Sequence, residues 1–177
     1  MKVKIDLHTH CGESTGDYVP KVSTVRKIID HIKMRGLDGI AVTEHDSFDF
    51  GYRVKNVVDR YFPGEVIIIP GREICLYREH IVELELQDGV AFRFCAHPFF
   101  GSSFDDLLEN ESNSLHGIEI KNAAWQLQET KIKKLAKEYD WMILENSDAH
   151  SLNEIGLHYN EFDLEELCNR CNARKKM

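Results

Sequence analysis

No apolar run in the sequence is long enough to span a bilayer, and Met1-Lys2-Val3-Lys4 leads into a strand pattern without a signal-peptide core. A cytoplasmic location with no membrane partner is therefore expected. Positive charge is also scarce: 22 Lys and Arg face 30 Asp and Glu, a formal net charge of −8. That balance argues against stable nucleic-acid binding, though a local positive site is compatible with it. The five cysteines (Cys11, Cys75, Cys95, Cys168 and Cys171) are odd in number and irregular in spacing, which gives no disulfide framework. Cys168-x-x-Cys171 has no second CxxC or His pair to complete a zinc knuckle. Cys168 is expected to pack against the domain and Cys171 to be incidental. Internal repeats, low-complexity stretches and linkers are missing too. The 177 residues, 42% hydrophobic and 29% charged, suit one soluble domain with a sizeable core.

What is present is an alternation of strand and helix patterns. Val3, Ile5 and Leu7 mark a first strand, which places Asp6, His8 and His10 on its other face. Ser23 or Thr24 opens a helix to about Arg35, with Val25, Ile28, Ile29 and Ile32 as its apolar stripe and Gly36 as its stop. Further strands are expected over 37–43, 65–70, 80–86, 90–96, 116–121 and 141–144. Helices are expected over 51–61, 105–110, 125–139 and 163–171, with a disordered basic tail over 171–177. Alternation of this kind implies a largely parallel sheet, and seven strands in one domain favour a small barrel. In either arrangement the chemistry belongs at the C-terminal strand ends.

The ligand-type residues fall at those ends: His8, His10, His45, Glu73, His97, Asp148 and His150. His80 opens an antiparallel partner strand and so reaches the same rim. Six histidines and two carboxylates are too many for one tetrahedral zinc and suit a bi- or trinuclear site bridged by a carboxylate such as Glu73. Asp6, Glu44 and Asp46 sit beside ligands and read as residues that orient imidazoles.

Five ordered motifs resemble the PHP (polymerase and histidinol phosphatase) family: Asp6-x-His8-x-His10, Thr43-Glu44-His45-Asp46, Gly71-x-Glu73, Ala96-His97-Pro98 and Ser147-Asp148-Ala149-His150. The resemblance covers residues 5–150. It implies an α/β fold, a distorted seven-stranded (β/α)7 TIM-like barrel of PHP type. It also implies two or three divalent ions (Zn, Mn or Fe) in a cleft, and phosphoester hydrolysis. Carried over residue by residue, it makes His8, His10, His45, Glu73, His80, His97, Asp148 and His150 metal ligands. The loop after His10 should supply one more, from Glu13 or Asp17; Asp17 is preferred because Gly16-Asp17 resembles the usual turn.

Three divalent ions, about +6, against Asp17, Glu73 and Asp148 leave a site of roughly +3, suited to a phosphate dianion and a hydroxide. The expected activity is hydrolysis of a small phosphomonoester or nucleotide phosphate by a metal-bridging hydroxide. Glu73 would fix metal spacing, Asp148 would hold metal, and His97 is a candidate leaving-group acid. Arg78 is the first choice to clamp phosphate, ahead of Arg72 and Arg53. Two alternatives stand beside this reading: a 3′–5′ exonuclease, with Tyr18, Tyr52 and Trp125 available for stacking, and a non-catalytic metal-stabilised module. Only residues 99–116 separate Pro98 from the next strand, which leaves the cleft open or completed by a partner chain, such as a homo-oligomer would provide.

Overall fold

A computed structural model describes residues 2–174 of the chain. Eight strands form one sheet: β1 (Lys2–Asp6), β2 (Gly39–Val42), β3 (Ile67–Leu76), β4 (Glu79–Glu85), β5 (Ala91–Ala96), β6 (Gly117–Lys121), β7 (Met142–Glu145) and β8 (Asn160–Asp163). Their order is β7-β6-β5-β4-β3-β2-β1-β8. Six α-helices accompany them among the described residues: α1 (Cys11–Thr15), α2 (Val22–Met34), α3 (Asp49–Tyr61), α4 (Phe104–Glu111), α5 (Glu129–Glu138) and α6 (Leu164–Arg174). Strands joined by helices pair in parallel (β1–β2–β3 and β5–β6–β7), while β3–β4–β5 form an antiparallel meander.

The sheet curls into a barrel because the chain beyond β1 meets the chain beyond β7. Asp148 N donates to His8 O at 2.9 Å and His10 N to Ala149 O at 2.8 Å, a parallel bridge at Thr9 and Ala149. Below that seam β8 runs antiparallel to β1. The Asn160 side chain crosses to β7, accepting from Glu145 N at 3.0 Å and donating to Glu145 O at 2.9 Å. One primary amide thus does the work of a ladder rung. The result is a distorted TIM-like barrel with eight strands rather than the seven expected. The eighth is so short, with Phe162 its one buried position, that no alternation announces it.

Inside the barrel, Ile5, Leu7, Val82, Leu84, Phe92, Phe94 and Leu144 pack together, and Leu167 and Cys171 of α6 plug the base. Two outer layers complete the core, α2 and α3 on one side and α4 and α5 on another. The α2 stripe at Val25, Ile28, Ile29 and Ile32 is fully buried, as its 3.6-residue period requires.

Several expectations need correction. Helix α2 begins at Val22, and the Thr24 hydroxyl donates to Asp17 instead of capping a helix start. Strand β3 continues through Gly71–Ile74 to Leu76 because β4 supplies its partners. Residues 11–15, expected as loop, make the short helix α1. Helix α5 starts only at Glu129. Cys171 is buried and Cys168 half-buried, the reverse of the expectation. The tail expected from residue 171 is helical to Arg174, and residues 175–177 lie outside the described part.

Candidate metal centre

Each strand end delivers its ligands by continuing the sheet a step further. Thr43 N donates to Thr9 O at 2.9 Å and Asp46 N to Glu73 O at 2.8 Å, so the chains carrying His8, His10, His45 and Glu73 stay in register above the barrel. His80 lies across the β3–β4 pair, opposite Cys75. His97 and Asp148 sit in the left-handed region, with φ of 25° and 53°. Side chains rarely adopt that conformation, and at both positions it accompanies a candidate donor that faces the cluster.

Glu73 is the centre of the cluster. Its Oε1 lies 2.8 Å from His80 Nδ1, 3.1 Å from His97 Nε2 and 3.4 Å from His8 Nε2. Its Oε2 faces a different pair, His45 Nδ1 at 3.1 Å and His10 Nε2 at 3.5 Å. Asp148 Oδ1 lies 3.1 Å from His10 Nε2, 3.4 Å from His8 Nε2 and 3.7 Å from His150 Nδ1, while its Oδ2 is 3.7 Å from His97 Nε2. His8, His10, Glu73, His97 and Asp148 form a buried floor; His45, His150 and Glu13 form an open rim. Four overlapping donor groups result: His10–Glu13–His45–His150, His8–His97–Asp148, His8–His10–Glu73 and Glu73–His80–His97.

The donor chemistry fits divalent cations. Asp148 Oδ1 and the Nδ1 atoms of His10 and His97 are buried without a hydrogen-bond partner, and His8 and His10 bring their Nε2 atoms within 3.2 Å. Asp148 Oδ1 and the facing Nε2 atoms of His8 and His10 point into the cluster, an arrangement that is costly unless a cation lies among them. The Nδ1 atoms of His10 and His97 lie on the far side of their rings. Proton affinities carry the same message. Burial pushes the Glu73 carboxyl up, but the surrounding His8, His45 and His80 hold it far below the carboxylate range. Burial likewise opposes Asp148, which His10 and His8 hold down at about 2. Burial works against charging His8, yet Glu73 and Glu119 raise its proton affinity well above normal. His10, desolvated beside His8, goes the other way. Two ionised carboxylates thus demand positive charge at one point.

Of the two loop candidates, Glu13 faces the cluster and Asp17 turns away from it. Helix α1 starts directly after His10, so Glu13, three residues on, returns to the same face, 3.8 Å from His45 and 3.7 Å from His150. Gly16, at φ 69°, then turns the chain, and Asp17 accepts from Thr24 and lies 3.9 Å from Lys21. Arg72 points away from Glu73, as neighbours on a strand must, and is held by Glu83 at 2.6 Å. Arg78 is exposed in the tight β3–β4 turn, where Tyr77 and Arg78 both have positive φ. Arg53 lines a cleft of about 310 Å³ that Glu13, Glu44 and His45 border.

The three carboxylates expected to orient imidazoles do other work. Asp6 accepts from the backbone N–H groups of His8, Ser147 and Gly156 and from the Ser147 hydroxyl, locking the seam, and burial lifts its carboxyl to about 6. Gly156 can make that contact because its φ is 73° and a Cβ there would lie 2.6 Å from Leu37 Cδ1. Glu44 accepts from Gly12 N at 2.7 Å and so caps α1. Asp46 is exposed, and its side chain makes no hydrogen bond or ion pair among the described residues. The carboxylate beside an imidazole is Glu119, fully buried on β6, 3.4 Å from His8 Nδ1. It also accepts from His97 N at 2.8 Å, Asn122 at 3.0 Å and Asn146 at 2.8 Å. A charge inside the apolar run Gly117-Ile118-Glu119-Ile120 was the signal for it.

Residues 127–175 match the PHP-associated family model. The fold is of PHP type. The PHP-type barrel is similar to that of PsfC from Pseudomonas syringae, with a TM-score of 0.66 and 16% identity over 99% of this chain and 98% of that one. It is also similar to a Bifidobacterium adolescentis protein assigned as a metal-dependent phosphoesterase, with a TM-score of 0.70 and 12% identity over 94% and 96% of the two chains. A third similar structure is endonuclease Q, solved with a 27-mer duplex bearing an abasic lesion at the active site. There the TM-score is 0.65 and identity 18%, over all of this chain and 57% of that one. No curated protein matches the chain in sequence. Among the described residues, no helix is long and apolar enough to cross a membrane.

Proposed function

We propose that the chain is a metal-dependent phosphoesterase acting on a small phosphomonoester or nucleotide phosphate. The observation that carries this reading is the division of Glu73, one oxygen toward His8, His80 and His97 and the other toward His10 and His45. That is the arrangement a bridging carboxylate needs to hold two cations side by side. The ligand set is His8, His10, Glu13, His45, Glu73, His80, His97, Asp148 and His150. Two or three divalent ions held there would lower the pKa of a water and offset charge on phosphoryl oxygens.

The protein's own part is positioning. Glu119 and Asn146 anchor the His8 side of the floor, and Asn122 holds Asp148 Oδ2 at 3.3 Å. His45 and His150 stay half in solvent, so substrate reaches the cluster from that rim. Arg53, in the cleft beside Glu13 and His45, is open to a substrate phosphate, whereas Arg72 is committed to Glu83 and Arg78 is exposed in the β3–β4 turn. His97 touches Glu73 and Asp148 and so belongs to the ligand set rather than to leaving-group protonation.

The similarity to endonuclease Q favours a second reading, a nuclease. The net charge of −8 weakens it, because strand tracks are basic. Metal analysis combined with a phosphomonoester and dinucleotide panel separates the readings. Wild type should bind at least two ions and release phosphate from monoesters. Glu73→Ala should lose metal and more than about 100-fold of activity, beyond the usual effect of an outer-shell change. Unchanged metal content and activity in Glu73→Ala would overturn the proposal, and cleavage of dinucleotides alone would favour the nuclease.

A further inference from the structure

Two aromatic side chains at the edge of the centre take no part in holding metal. Phe99 packs 5.3 Å from the His97 ring and Trp125 6.1 Å from it, and the two meet edge-to-face at 5.1 Å and 87°. Phe99 is 45% exposed and Trp125 49%. Buried polar groups hold both in place. Glu79 accepts from Phe99 N at 2.8 Å and Gly101 N at 3.3 Å, fixing the loop after His97. Asn122 accepts from Ala124 N at 2.8 Å while donating to Glu119 and Asp148, which ties the Trp125 loop to the metal cluster.

We infer that Trp125, with Phe99 standing edge-on beside it, forms a stacking shelf for the base of a mononucleotide whose phosphate lies at the metal centre. The inference rests on the phosphoesterase reading and names its substrate class. A half-exposed indole beside phosphate-binding chemistry suits a flat ring, since every nucleobase offers a π-face. A sugar would need hydroxyl partners, yet Pro98, Phe100, Ala123 and Ala124 flank the two rings. Neither 97–104 nor 122–128 contains Lys or Arg, and the cation placed against them, Lys131, sits over the Phe100 ring at 4.0 Å, which favours a mononucleotide over a polynucleotide backbone.

The chain has two tryptophans, and Trp141 is 4% exposed and stacked on Tyr139, out of reach of an added ligand, so a ligand-dependent change in emission reports on Trp125. The metal-loaded protein is titrated with the non-hydrolysable methylenephosphonate analogue of AMP and, separately, with ribose 5-phosphate. The AMP analogue should quench emission and ribose 5-phosphate should not; in Trp125→Phe the quenching should vanish. In kinetics, the ratio of kcat/KM for AMP over ribose 5-phosphate should fall about ten- to hundred-fold in Trp125→Ala and less in Trp125→Phe. An unchanged ratio in Trp125→Ala, or binding of the AMP analogue without quenching, would overturn the shelf. Failure to hydrolyse any ester of the panel, AMP and ribose 5-phosphate included, would overturn the phosphoesterase reading, while quenching by the analogue would still support the shelf.

Discussion

Glu119 shows how much of the candidate centre depends on a residue outside the proposed ligand set. Its carboxylate receives one backbone and two side-chain N–H groups and lies 3.4 Å from His8 Nδ1. That contact settles which His8 nitrogen faces the floor. Glu119→Gln keeps the shape but offers the imidazole a weaker acceptor, and it forces an N–H toward donors. Metal affinity should drop about 10- to 100-fold with the fold retained, as titration against a fluorescent chelator would show. Unaltered affinity would remove Glu119 from the site. The proposed loop ligand is open to an equally direct comparison. Glu13→Ala should lose rim metal and activity, whereas Asp17→Ala, which removes only the Thr24 and Lys21 contacts, should keep both.

Elements decide which residues can be read from sequence. A strand end fixes the direction of every second side chain, so the histidine motifs and Glu73 could be placed on one rim without coordinates. Glu119 could not, because its partners His8, His97 and Asn146 come from three other strand ends and meet only when the barrel closes. Glu13 was passed over because one turn of helix, invisible in a polar loop, separates its direction from that of Asp17. The eighth strand was hidden for a related reason: its partner is β1, more than 150 residues earlier, and Asn160 rather than an apolar pattern seats it. Away from the metals, a polar clamp ties α4 to β5 and gives a pH test. The Ser114 hydroxyl, and then Arg93 at 2.8 Å, hold the Glu111 carboxyl below its ordinary 4.5. A depressed carboxylate contributes stability that is complete above 4.5 and lost as pH falls through the folded value. Glu111→Gln should therefore melt lower than wild type near neutral pH, and the difference should shrink below 4.5. A gap that persists in acid would mean that packing, not charge, carries the contribution.

At the scale of the molecule, the metal centre and the closing seam of the barrel are the same place. Backbone bonds from Asp148 N to His8 O and from His10 N to Ala149 O hold the seam, and each strand segment also carries proposed ligands. Loaded with metal, the segments would be joined twice, by peptide groups and by ions. Stripped, they would keep Glu73 and Asp148 ionised in a buried cluster that only imidazolium charge can offset. Metal binding to the folded state alone adds about 2.7 kcal/mol when free metal stands at about 100 times Kd. For a chain of this length each kcal/mol moves Tm by roughly 2–4 °C, so chelation should lower Tm by about 5–11 °C. The loss should also be local. Hydrogen exchange should accelerate first at the His10 and Asp148 amides, while the buried stripe of α2 stays protected. If Tm and seam exchange are both indifferent to chelator, the cluster does not bind metal strongly enough to support the proposed chemistry. If Tm falls while the seam keeps its protection, the ions are held elsewhere in the fold.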